Sequence, residues 1–118
     1  MRKTITIGTK NIELVANAAS PYLYKQVFHE DFLLQSRKLA EEEDSAVVDS
    51  TAADMFVKLG YIMANQASAK DMTRLNYDGF LNWLSQFELN DVLEAVNEIA
   101  DVWRGQEAAT SVPKNSGV

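Results

Sequence analysis

The stretch from Leu89 to Trp103 constrains this chain more than any other. Leu89, Val92, Leu93, Val96, Ile99, Ala100 and Trp103 recur at three- and four-residue spacings. At the helical repeat these seven positions fall within an arc of roughly 120°. Asp91, Glu94, Glu98 and Asp101 lie nearly opposite, spaced three, four and three. The pattern predicts an amphipathic helix over about Asn90 to Arg104, whose apolar side needs other elements to cover it. Past Gly105, the residues from Ala108 to Val118 are small and polar and include Pro113 and Gly117. A disordered tail is expected over 108–118.

The covering elements can be read upstream. Asn76 is placed to cap a helix over Tyr77 to Phe87, in which Tyr77, Phe80, Leu81, Leu84 and Phe87 share a face opposite Asp78, Asn82, Ser85 and Gln86. A third helix is expected to open at Asp49-Ser50-Thr51 and to run to about Ala67. Met55, Phe56, Leu59, Ile62 and Met63 occupy one broad side of it, while Val57 and Tyr61 lie elsewhere. So much apolar surface implies burial on more than one side, and one of those sides is expected to meet another chain. Ser20-Pro21 reads as an N-cap and first helical position, leading into Tyr22, Leu23, Tyr24, Val27 and Phe28. A break near His29-Glu30-Asp31 lets Asp31 cap a short helix through Phe32, Leu33, Leu34 and Leu39. Glu41-Glu42-Glu43-Asp44 reads as a solvated helix end or loop.

At the start, Thr4 to Ile7 and Ile12 to Val15 alternate in the manner of strands, with turn residues Gly8-Thr9-Lys10-Asn11 between them. The expected fold is mostly α: one helical domain over 1–107, with four to five helices and a short N-terminal β-hairpin at about 3–15. A chain of 118 residues is one domain's worth of polypeptide. A hairpin alone is marginal in water, so its apolar face should rest on the helices.

Charge and composition narrow the function. The net charge is −6. Residues 30–49 hold seven acids against two bases, and residues 88–107 hold six against one. Two acidic blocks with no basic stripe argue against nucleic-acid binding. There is no cysteine and a single histidine, His29, so nucleophile–base pairs have almost nothing to draw on. The consecutive acids at 41–44 lack the spacing of a calcium loop, and the five glycines are scattered rather than gathered to cradle phosphate. No enzyme activity, metal or cofactor is expected. Neither a signal peptide nor a run long enough to span a bilayer is visible, so no membrane partner and a cytoplasmic location are expected.

What remains is protein binding. Phe56 and Tyr61 flank the over-apolar third helix, and Trp83 lies at the edge of its apolar arc; these three are candidate contacts. Trp103 falls on the apolar side of its helix and is read as core. Asp91, Glu94, Glu98 and Asp101 have no interleaved lysine, and like charges at that spacing oppose helix formation. They form either a solubilising outer face or a docking face for a basic helix.

The motifs also occur in a familiar order. Ile5-Thr6-Ile7-Gly8 opens a hairpin, and Ser20-Pro21-Tyr22 leads to Tyr24-Lys25-Gln26-Val27-Phe28 and then Asp31-Phe32-Leu33. The run from Lys58-Leu59-Gly60-Tyr61 to Ala67 follows, then Phe80-Leu81-Asn82-Trp83-Leu84-Ser85-Gln86-Phe87, and the last helix ends in Asp101-Val102-Trp103. In this order the chain resembles the tail assembly chaperones of long-tailed (siphovirus-type) phages and prophages of Gram-positive hosts. His29 departs from the family pattern, which often has glycine there; a left-handed backbone at that position would make histidine tolerable but poorer.

The resemblance implies a non-catalytic assembly factor that binds the tape measure protein and keeps it soluble until the tail tube polymerises. Such a factor acts in the host cytoplasm and is absent from the mature virion. It further implies a longer product of programmed −1 frameshifting that contacts the tail tube protein, and the modest size, negative charge and apolar surface lead us to expect self-association along the client. Pro113-Lys114-Asn115 is compatible with codons containing a slippery heptamer. The alternative is a generic helical protein-interaction adaptor or regulator.

Overall fold

Alternation of Ile5 and Ile7 with Thr4 and Thr6 sends the two isoleucines to one face of strand β1, Arg2–Ile7. Its antiparallel partner is β2, Lys10–Val15, in a register that places Ile5 opposite Ile12 and Lys3 opposite Leu14. In the computed structural model, which describes residues 1–41, 45–68 and 71–116 (side chains outside 45–49 and 107–116), Ile5, Ile7 and Leu14 are buried. The connection is only Gly8-Thr9, because Lys10 and Asn11 already pair with Ile7 and Thr6. Gly8 has φ +64°, which glycine adopts without a side-chain penalty.

Among the described residues, five helices follow. Helix α1 is Ser20–Phe28 and ends at His29, which takes the left-handed conformation (φ 58°, ψ 33°) and donates its backbone N–H to the Lys25 carbonyl. The left-handed backbone considered for this position is therefore present. Asp31 caps α2, Phe32–Glu41, by accepting the Leu34 N–H at 2.9 Å. Asn76 caps α4, Tyr77–Leu84, by accepting the Gly79 N–H at 2.7 Å. A short 3-10 turn, Met72–Arg74, precedes α4. Of the acidic run at 41–44, Glu41 closes α2 and the other three lie outside the described residues.

Three features differ from the sequence reading. The Ser20 hydroxyl does not cap α1, whose N-cap is Ala19 with no side-chain bond. Ser20 is fully buried, donates to Gln66 Oε1 at 2.6 Å and accepts the Asn17 N–H, so its hydroxyl serves a long-range contact. Helix α3 begins at Ser45 and ends at Ser68, ahead of the expected start at Asp49. Capping-type residues cost only fractions of a kcal/mol inside a helix, so they mark a boundary weakly. Helix α5 spans Leu89–Ser116, so the backbone stays helical past Arg104, where this helix was expected to end. Gly105 does not end it: the Met1 side chain packs where a Cβ would stand, and the Met1 ammonium donates to Gln106 Oε1 at 3.1 Å.

Helix α3 is the hub, touching β2, α1, α2, α4 and α5, while α5 also packs on β1. Met55, Leu59, Ile62 and Met63 are fully enclosed, and Val57 and Tyr61 are buried as well. Burial on more than one side is thus met, but by the chain's own elements. A file of edge-on and tilted ring contacts crosses the core from Trp103 through Phe32, Tyr24 and Phe28 to Phe80. The Trp103 Nε1 is buried with no acceptor among the described residues.

Candidate functional site

Three helices each turn a three-and-four-spaced face toward one open groove of about 600 Å³. Helix α3 supplies Ser50, Ala53, Asp54 and Val57; α4 supplies Tyr77, Phe80, Leu81 and Leu84; the start of α5 supplies Leu89, Val92 and Leu93. Phe87 closes the corner between α4 and α5. The local sequence accounts for the shape. Ser50 and Ala53 are small, so the wall they form is shallow, whereas the opposite walls carry leucines and aromatic rings.

The floor is buried and the rim is not. Phe80, Val57 and Val92 belong to the core, but Tyr77 is 51% exposed, Leu81 47%, Leu89 71% and Leu93 48%. Single exposed apolar residues are ordinary on a protein surface, whereas these four form one apolar rim around a single concavity. The apolar faces of α4 and α5 are where the sequence placed them, but their outer halves face the groove rather than the core.

Among the described residues, Asp54 is the one charged side chain lining the groove. Its Oδ2 lies 2.9 Å from Lys58 Nζ, which also reaches Glu30 Oε1 at 3.0 Å and lies over the Phe28 ring. Partial burial works against the Lys58 ammonium, but its bonds to Asp54 and Glu30 outweigh that cost and hold its pKa above the ordinary value. Tyr24 Oη, within 3.3 Å of Glu30 and 3.2 Å of Gln35, is fully enclosed; burial, then the nearby carboxylates, push the phenol well above its usual range. This network pins the α1–α2 corner to α3 behind the groove.

The residues singled out from the sequence do not gather into one site. Phe56 (8% exposed) and Tyr61 (4%) are inside the core, so the apolar side of α3 expected to meet another chain is covered from within. Phe56 packs on Phe32, and Tyr61 on Phe28, Phe80 and Trp83. Trp83 is half-buried between Tyr61 and Phe87, lining a separate depression with Asn65, Gly79, Asn82 and Gln86. Asp91 is partly covered by the hairpin turn: a Cβ on Gly8 would stand 2.6 Å from its Oδ2. Glu94, Glu98 and Asp101 are exposed, and Asp101 lies 3.5 Å from Arg104. Sequence reasoning missed Ser50, Ala53, Asp54 and Val57 as groove residues. The available signal was their own spacing, which repeats that of Tyr77, Phe80, Leu81 and Leu84.

Among the described residues no cluster of three or more histidine, cysteine or acidic side chains could hold a metal, and no helix is long and apolar enough to cross a membrane. No family model, curated protein or solved structure matches this chain.

Proposed function

We propose that this protein is a tail assembly chaperone of a long-tailed phage or prophage, which binds apolar helices of the tape measure protein in the α3–α4–α5 groove. It keeps that client soluble in the host cytoplasm until the tail tube polymerises, then leaves, so that it is absent from the mature virion. The observation that carries the reading is the ring formed by Tyr77, Leu81, Leu89 and Leu93 around one concavity, each about half exposed or more. An amphipathic helix laid in such a groove is held by anchors at three- and four-residue spacing. The order of the motifs from Ile5 to Trp103 supports the family reading, and the groove is of a kind that suits a helical client.

The binding role needs no chemistry from the chain, which fits a non-enzymatic factor without a cofactor. Glu94, Glu98 and the net charge of −6 favour a soluble complex when a greasy client is held. Several copies along one client, and a frameshifted longer form that reaches the tail tube protein, belong to the same proposal. Co-expression with the tape measure protein tests it. The parent chain is expected to carry the client into the soluble fraction, and Leu93→Asp is expected to lose that ability while keeping its own helical circular dichroism and melting point. A client that stays insoluble with the parent chain would overturn the reading in favour of a more general helical adaptor.

A further inference from the structure

Resting on the groove reading, we infer that the occupant is an amphipathic helix whose leucine-type ridge is flanked by a basic residue, and that Asp54 reads that residue. Three observations point this way. Among the described residues, Asp54 is the single charged side chain in a lining otherwise made of apolar residues and Ser50. Its side chain is 58% exposed, so an incoming guanidinium or ammonium can reach it without displacing core. Moreover, Asp54 can turn toward a partner without stranding a cation, because Lys58 keeps Glu30 at 3.0 Å. Leaving a buried cation unpaired would be costly, and here that cost does not arise.

The surroundings bias the sign further. Asp78, Glu88 and Glu94, each next in sequence to a lining residue, are all exposed, and among the described residues no lysine or arginine lines the groove. A neutral helix would fill the apolar floor but leave Asp54 facing an uncharged surface. An acidic helix would be repelled. A second copy of this chain, docked groove to groove, would bring Asp54 and its acidic neighbours against their own counterparts, so charge disfavours that occupant.

The test uses the full chain and three synthetic helical peptides with one leucine ridge at three- and four-residue spacing, differing only in a flanking arginine, glutamine or glutamate. Binding is read by fluorescence anisotropy at low and high salt. The arginine peptide is expected to bind roughly three- to tenfold tighter than the glutamine peptide at low salt, with the gap closing as salt rises. Asp54→Asn is expected to erase that gap, and its melting point shows whether the fold is intact. Leu93→Asp is expected to abolish binding of all three.

Equal binding of the arginine and glutamine peptides, with loss on Leu93→Asp, would overturn the role of Asp54 and leave the groove reading standing. An Asp54→Asn chain that kept the arginine preference would overturn that role equally. Binding of none of the peptides would overturn both, as would a parent dimer that dissociates on Leu93→Asp without taking any peptide.

Discussion

The Ser20 hydroxyl joins the start of α1 to the end of α3 through a 2.6 Å hydrogen bond to Gln66 Oε1, across 46 positions of sequence. Gln66 Nε2 donates to Asn17 Oδ1 at 2.8 Å, and that oxygen also accepts the Ala19 N–H, so the loop before α1 is fastened to α3 at one point. Removing the hydroxyl leaves the Gln66 oxygen short of a donor in a partly buried site. Ser20→Ala is expected to destabilise the fold by about 1–3 kcal/mol in urea or thermal melts. Paired with Gln66→Ala in a double-mutant cycle, it should show a coupling of about 1 kcal/mol. Strict additivity would mean that the bond contributes nothing.

His29 gives a prediction of opposite sign. A left-handed backbone costs a side-chain-bearing residue about 1–2 kcal/mol, while glycine loses about 0.5–1 kcal/mol through its freer unfolded state. The difference favours His29→Gly by roughly 0.5 kcal/mol. His29→Val, β-branched at the same φ of 58°, is expected to lose more than about 1 kcal/mol. A melting series of the three chains orders them glycine, histidine, valine from most to least stable; any other order would show that the C-cap geometry does not set stability here.

Gly8 is held by two constraints that a pair of substitutions separates. Gly8→Ala meets the left-handed φ and also the Asp91 carboxylate, for an expected loss of about 1–2 kcal/mol. Adding Asp91→Ala removes the steric part and leaves the backbone part, so the doubly substituted chain should recover some, not all, of the loss. Full recovery would assign the whole effect to Asp91.

Alkaline pH should weaken the fold through the network behind the groove. Lys58 and Tyr24 both hold their protons more tightly when folded than at their ordinary values of 10.5 and 10.0. A raised folded pKa contributes stability that is complete below the unfolded value and is lost as pH climbs through the folded one. Stability is therefore expected to fall from about pH 10 upward, and Tyr24→Phe should make that fall shallower. The check is a set of urea midpoints taken between pH 8 and 11.5. A profile that stays flat across this window would contradict the arrangement of Lys58, Glu30, Asp54 and Tyr24.

Periodicity made the hairpin, α4 and the core half of α5 readable, because each obeys a local rule: alternation, a capping asparagine, one apolar arc. The same rule failed where the deciding contact is distant. Ser20 looks like a cap until Gln66 arrives from α3, and Gly105 looks like a stop until Met1 packs against it. The groove was hidden for a related reason. A helical wheel shows that Leu89 and Leu93 share an arc with Val92 and Ile99, but it carries no record of which part of the arc a neighbour covers. Here the core takes Val92 and Ile99 and leaves Leu89 and Leu93 outside. Phe56 and Tyr61 erred the other way, being surplus on one helix but absorbed by rings from α2 and from α1 and α4, respectively.

Because β1 rests on α5, the earliest and latest parts of the core are mutual lids. Ile5 and Ile7 therefore gain their cover only once α5 has been made, a pairing of elements distant in sequence of the kind that slows folding.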